Sequence, residues 1–293
     1  MRWRNRRQST NVEDRRHSSA GRRRLPSLRT IMFLYPMIKP LLGTKIGWAL
    51  LLVGGVLYFS GFNPMSMLGG GSATAVMDPK KEEEQVQFIK TVLADTEAVW
   101  GELLPEYGLR YTPPVLVLYR DKVMSGCGYA SAQAGPFYCP MDQKIYVDLG
   151  FFEQLKRRHG VSGDFAQAYV LTHEVGHHVQ NLQGILQKVR HAQQRVRGRA
   201  QANALQVKVE LMADCYSGVW ANHAQKRFNM LEPGDIEEAL NAASAIGDDV
   251  LQKQAQGYVV PDAFTHGSAR QRVEAFTVGI KNGDLQACIQ HIQ

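Results

Sequence analysis

The chain has 293 residues, 44% of them hydrophobic, and a formal net charge of +7. That length suits one globular domain of about 200 residues with appendages. Residues 1–45 hold ten arginines and two lysines against Glu13 and Asp14, which leaves 22 bases against 25 acids in the rest. A nucleic-acid surface should be basic on the folded domain itself, so the charge balance argues against nucleic acid as a partner.

In chain order, residues 1–45 read as a basic, mostly disordered tail, because residues 1–30 are polar and arginine-rich. Ile46 to Phe62 carries no charge across 17 residues, the short end of the spanning range of ~17–25. Trp48 and Tyr58 lie near its ends, where amphipathic aromatics favour the interface. The segment reads as one transmembrane helix, and the bases before it predict an N-terminus inside and the rest of the chain outside. Ala73-Thr74-Ala75 has the form of a cleavage site but lies thirteen residues past the apolar run, so an uncleaved anchor is expected. Residues 63–76, with Gly69-Gly70-Gly71, read as a linker. Residues 77–293 form the remaining domain. Within it Asp78-Pro79 opens a helix to about 104, and strands are expected over 115–119 and 143–149. Further helices are expected over about 164–182, 200–226, 233–252 and 268–281. The class is α+β, helix-rich, with a small sheet.

The most informative residues are His173-Glu174-Val175-Gly176-His177. On a helix, positions four apart share a face, so both imidazoles can reach one Zn²⁺. Glu174 is then placed to take a proton from the attacking water. The flanking Val170, Leu171, Thr172 and Val179 are uncharged, as a buried catalytic helix requires.

The third ligand decides the subclass. A metzincin would continue with glycine and histidine where this chain has Gln180 and Gln183. Spacing leaves a ligand from an upstream strand open. The better candidate is Glu210 in Glu210-Leu-Met-Ala-Asp214, where Glu210 and Asp214 share a helix face. One carboxylate could ligate while the other orients a histidine.

Cys127, Cys139, Cys215 and Cys288 all follow the apolar segment, in the oxidising compartment predicted for that side. Cys127 and Cys139 flank a loop rich in small residues and are expected to pair. Cys215 could pair with Cys288 and pin the C-terminal end to the ligand helix, or both could be buried thiols.

The run from Thr172 to Gly184, Glu210 to Ala221, Gly135 to Pro140 and Phe264 to Arg272 together resemble the bacterial "putative neutral zinc metallopeptidase" family, from about Gly69 to the C-terminus. The family is similar to the gluzincins. The resemblance implies a helix-rich zincin-like domain, one Zn²⁺ on His173, His177 and Glu210, Glu174 as general base, and Asp214 supporting the first histidine. It also implies a downstream donor for the developing oxyanion, with His266 first and Tyr216 or Tyr258 as alternatives. The expected protein is a membrane-anchored zinc metallopeptidase acting on peptides or proteins, with no organic cofactor. It would sit single-pass in the bacterial inner membrane, N-terminus cytoplasmic and catalytic domain periplasmic. A zinc-binding scaffold without activity, or a hydrolase of non-peptide amides, is the alternative.

Overall fold

The computed structural model describes residues 1–16, 78–131 and 135–292, and all of them belong to one folded unit. Its longest early element is helix α1, Pro79–Glu106, capped by Asp78, whose side chain accepts from the Lys80 amide. Proline at the first helical position costs nothing there, because that amide has no partner in a helix anyway. Strands β1 (Val12–Asp14), β2 (Val115–Tyr119), β5 (Phe137–Cys139) and β6 (Lys144–Asp148) form a sheet in the order β1-β2-β6-β5. The first three neighbours are parallel and β5 runs antiparallel to β6. The short strands β3 (Lys122–Ser125) and β4 (Gly128–Ser131) form a separate hairpin.

Alternation along the strands gives the sheet two apolar faces. Leu116, Leu118, Ile145 and Val147 face the helices. Val117, Tyr119, Cys139 and Tyr146 face the other way, where Val123 of the hairpin packs on them. Helices α2 (Gly150–His159), α3 (Asp164–Leu182), α4 (Ile185–Arg195) and α5 (Arg199–Phe228) follow. Then come α6 (Asp235–Ala245), α7 (Asp248–Gln256), α8 (Ala269–Asn282) and α9 (Leu285–Ile292). The core lies where α1, α3, α5 and α8 meet, around Trp100, Trp220, Phe165 and Phe276.

Two glycines set the helix spacing that the site depends on. A Cβ on Gly176 would lie 3.0 Å from the Ala213 carbonyl oxygen, so this glycine lets α5 approach α3. A Cβ on Gly279 would lie 1.9 Å from the Cys215 carbonyl oxygen, so α8 lies against α5 by the same means. Both cystine pairs are formed: Cys127 with Cys139, and Cys215 with Cys288.

The sequence-based fold requires correction at its N-terminal side. The helix-rich α+β class with small sheets stands, but no helix among the described residues is long and apolar enough to cross a membrane. The 46–62 segment itself lies outside the described residues. The tail gives the physical reason. A single span there would put residues 1–16 and the domain on opposite sides of a bilayer, yet they are folded together. Val12 to Asp14 pair in register with Leu116 to Leu118, and buried Trp3 packs edge-on against Phe88. The Met1 amine lies 2.8 Å from Asp164 and 3.2 Å from Asp235. The expected single-pass inner-membrane placement, N-terminus cytoplasmic and domain periplasmic, is therefore overturned. Within the tail expected to be disordered, residues 1–16 are folded onto the domain, and their arginines are paired. Arg6 pairs with Asp95, Arg7 with Glu97 and Arg16 with Glu82, all on α1.

Candidate active site

The site is built mainly from α3 and α5. One turn of α3 separates His173 from His177, and their rings lie edge to face at 4.7 Å. Each ring has one nitrogen already committed. His173 Nδ1 donates to Asp214 at 2.7 Å, and His177 Nδ1 donates to the side-chain Oε1 of Gln180 at 2.9 Å. The Gln180 amide in turn donates to the Val209 carbonyl at 2.7 Å. Both Nε2 atoms therefore face the same way, at 3.2 and 3.4 Å from the Glu210 carboxylate. The ligand atoms of His173, His177 and Glu210 all lie within 4.8 Å of one another.

The donor chemistry fits a zinc ion. Two imidazoles and one carboxylate, each nitrogen fixed by a hydrogen bond from behind, are what such a site requires. The electrostatics agree. Burial alone would lower the pKa of His173, but Asp214 and Glu210 push it up to about 10. Burial would likewise lower His177, and Glu210 outweighs it. Burial would raise Glu210, yet the two histidines hold it well below the usual carboxylate range. The Glu210 carboxylate facing both Nε2 atoms gives a cation a charged partner at the same place.

Asp214 is fully buried, and its charge is held by more than the histidine. Arg272 of α8, itself buried, donates to both of its oxygens at 2.8 and 2.9 Å, and the Tyr169 hydroxyl also donates to it. Burial would raise the Asp214 pKa, but Arg272 and then His173 bring it to about 2.

Glu174 lies in the same cleft, of about 410 Å³, with His173, His177, Glu210 and His266. Burial raises its pKa, and His177, His173 and then the Tyr138 backbone amide counter this in part. His266 reaches the cleft on a loop held by Asp248, whose carboxylate accepts from the backbone amides of Thr265, His266 and Gly267. Tyr216, buried, donates to Gln183, while Tyr258 is exposed, and neither lines this cleft.

Sequence reasoning missed Arg272, Tyr169, Gln180, Asp248 and the Tyr138–His178 contact. Gln180 had a usable signal, since it stands three residues after His177 on one helix face. His178, fully buried, donates from Nε2 to the Thr112 carbonyl at 2.6 Å and accepts from the Tyr138 hydroxyl at 3.1 Å. That contact ties β5 to α3. The 143–149 strand, expected beside the metal helix, is β6 in the sheet interior, and among the described residues β5 is the edge strand next to it, open on its outer side.

The chain is similar to the uncharacterized protein YpfJ of Escherichia coli strain K12, at 45% identity over 98% of both chains. It is similar to the uncharacterized proteins Mb2605 of Mycobacterium bovis and Rv2575 of Mycobacterium tuberculosis, each at 47% identity over 66% of both chains. No solved structure matches it. The profile of the family described as "Putative neutral zinc metallopeptidase", which implies zinc, matches residues 1–291, and the chain belongs to that family.

Proposed function

We propose that the protein is a zinc-dependent endopeptidase of gluzincin type, holding one Zn²⁺ on His173, His177 and Glu210. The observation that carries this reading is the convergence of both Nε2 atoms on the Glu210 carboxylate, with Glu174 in the same cleft. Zinc bound there would supply a Lewis acid that polarises a carbonyl and lowers the pKa of water to about 7.

The chain's own residues do the rest. Glu174 takes the proton of the attacking water and passes it to the leaving amine. His266 donates to the oxygen that gains charge as the carbonyl is attacked. The open edge of β5 offers backbone groups for an extended peptide to pair with. Asp214, carried by Arg272, keeps His173 in the tautomer that frees Nε2. The cleft continues on both sides of the His177–Glu210 pair, which leaves room for chain before and after the cut bond.

The test is hydrolysis of a mixed peptide library by the full-length protein and by Glu174→Gln, with zinc content measured on both. Equal zinc with activity in the wild type alone supports the reading. Equal activity in both overturns it.

A further inference from the structure

The near-neutral charge of the domain conceals a sharp local asymmetry. Between Glu174 and Glu210 the sequence has no acid and six bases: Lys188, Arg190, Arg195, Arg197, Arg199 and Lys208. All six are exposed. They lie on α4, on the turn after it and on the first half of α5. None of Lys188, Arg190, Arg195, Arg197 and Arg199 has an ion-pair partner among the described residues, whereas the tail arginines Arg4, Arg6, Arg7 and Arg16 are all paired.

Helix α4 adds little to the core. It buries no residue, and glycines with φ of 72° and 110°, Gly184 and Gly198, bound it. Like charges this close repel one another and oppose the compact state. The fold gains nothing from them, so a partner is the simplest reason for their arrangement. Their position says which kind. Arg190 shares a cavity of about 230 Å³ with Tyr138, His177 and Glu210. Arg190 therefore forms part of the wall of the cleft at the zinc-ligand group, and the other five bases lie on the same helix, the turn after it and the helix that follows. On the other side of His177 the cleft is walled by Phe137, Phe151, Ile246 and Leu251.

We propose that the substrate is a peptide segment carrying acidic side chains on the α4 side of the cut bond, with Arg190 as the specificity-determining residue nearest the site. This rests on the peptidase reading and narrows it. Arg195, Arg197 and Arg199, exposed at the end of α4 and the start of α5, add to the positive field on that side and raise the association rate of an acidic segment.

The experiment compares full-length wild type, Glu174→Gln and the triple variant Arg190→Glu/Arg195→Glu/Arg197→Glu on a peptide library of all sequence types, with cut sites read by mass spectrometry. Aspartate and glutamate should be enriched at least about fivefold on one side of the wild-type cuts. The enrichment should vanish, or turn to lysine and arginine, in the triple variant. Cuts without an acidic bias, or a bias that survives charge reversal, overturn the proposal. If the triple variant does not fold, wild type decides. Cleavage of acidic relative to uncharged peptides should fall as ionic strength rises from about 0.01 M to about 1 M, and a constant ratio overturns the proposal.

A wild type no more active than Glu174→Gln sinks the peptidase reading separately. Binding then decides the charge reading. A fluorescein-labelled glutamate-rich peptide should bind Glu174→Gln protein and be released by the same charge reversal. Tighter binding of a DNA duplex or of phosphatidylglycerol vesicles than of that peptide assigns the surface to another polyanion and overturns the proposal.

Discussion

Asp214 meets His173 at 2.7 Å and Arg272 at 2.8 Å, so a single buried carboxylate links a zinc-ligand candidate on α3 to a cation on α8. Removing it should act on metal and fold together. Asp214→Ala is expected to weaken zinc affinity roughly 10–100-fold without abolishing it. A chelator competition titration measures this, and unchanged affinity would show that the contact does not support the ligand.

Asp214 has no water to return to if Arg272 is lost, being 0% exposed. Breaking a buried pair by removing one member costs about 3–5 kcal/mol. Arg272→Met should lower stability by that order in urea unfolding of the metal-free protein. Arg272→Met/Asp214→Asn should recover part of the loss, since both charges are then gone. A double variant no more stable than the single would argue against coupling.

The ligand assignment predicts a graded result. His173→Ala, His177→Ala and Glu210→Ala should each lose most bound zinc by metal analysis, while Glu174→Gln keeps it. Full occupancy in Glu210→Ala would identify a different third ligand.

Asp248 secures the His266 loop through three backbone amides. Burial would raise its pKa, but bonds from His266 and its neighbours lower it. A depressed folded value means the contribution is present above the unfolded pKa of about 3.9. It is lost as pH falls through the lower folded value. Only once pH has fallen past ~4 and through that lower folded value should the loop loosen in wild type, whereas Asp248→Ala should loosen it at neutral pH. Hydrogen exchange at residues 265–267 reads both. Protection that is equal in the variant and the wild type would remove Asp248 from this role.

The Cys127–Cys139 pair ties the β3–β4 turn to β5, the strand with the open edge. Cys127→Ser/Cys139→Ser should still fold and bind zinc but cleave peptides poorly. Loss of zinc together with the fold would make the bond structural instead.

What was legible in the sequence was local. The 115–119 strand and the 164–182 helix stand where β-branched runs and an uncharged apolar pattern put them. The helix expected over 233–252 is two helices, α6 and α7. The chain turns at Gly247, where a Cβ would lie 2.3 Å from the Ala269 amide, a contact that no local pattern carries. Strand β1 is three residues of Val-Glu-Asp and pairs with a strand far along the chain, so nothing near it announces pairing. The same limit produced the membrane reading: hydropathy is a local quantity, whereas the docking of residues 1–16 is a long-range one. In the candidate site, helical spacing showed that His173 shares a face with His177 and Glu210 with Asp214, but not that the two faces meet. Arg272 was not legible, because nothing in the order of residues says that α8 lies against α5.

The docked tail also imposes a timetable on synthesis. Val12 pairs with Leu116, so β1 leaves the ribosome on the order of 5–20 s before its partner at typical elongation rates. Met1 meets Asp235 across 234 positions and waits longer still. Residues 1–14 thus settle only after partners made much later. Until they do, β2 presents a bare edge that another nascent chain could join, and deleting residues 1–16 would make that transient exposure permanent.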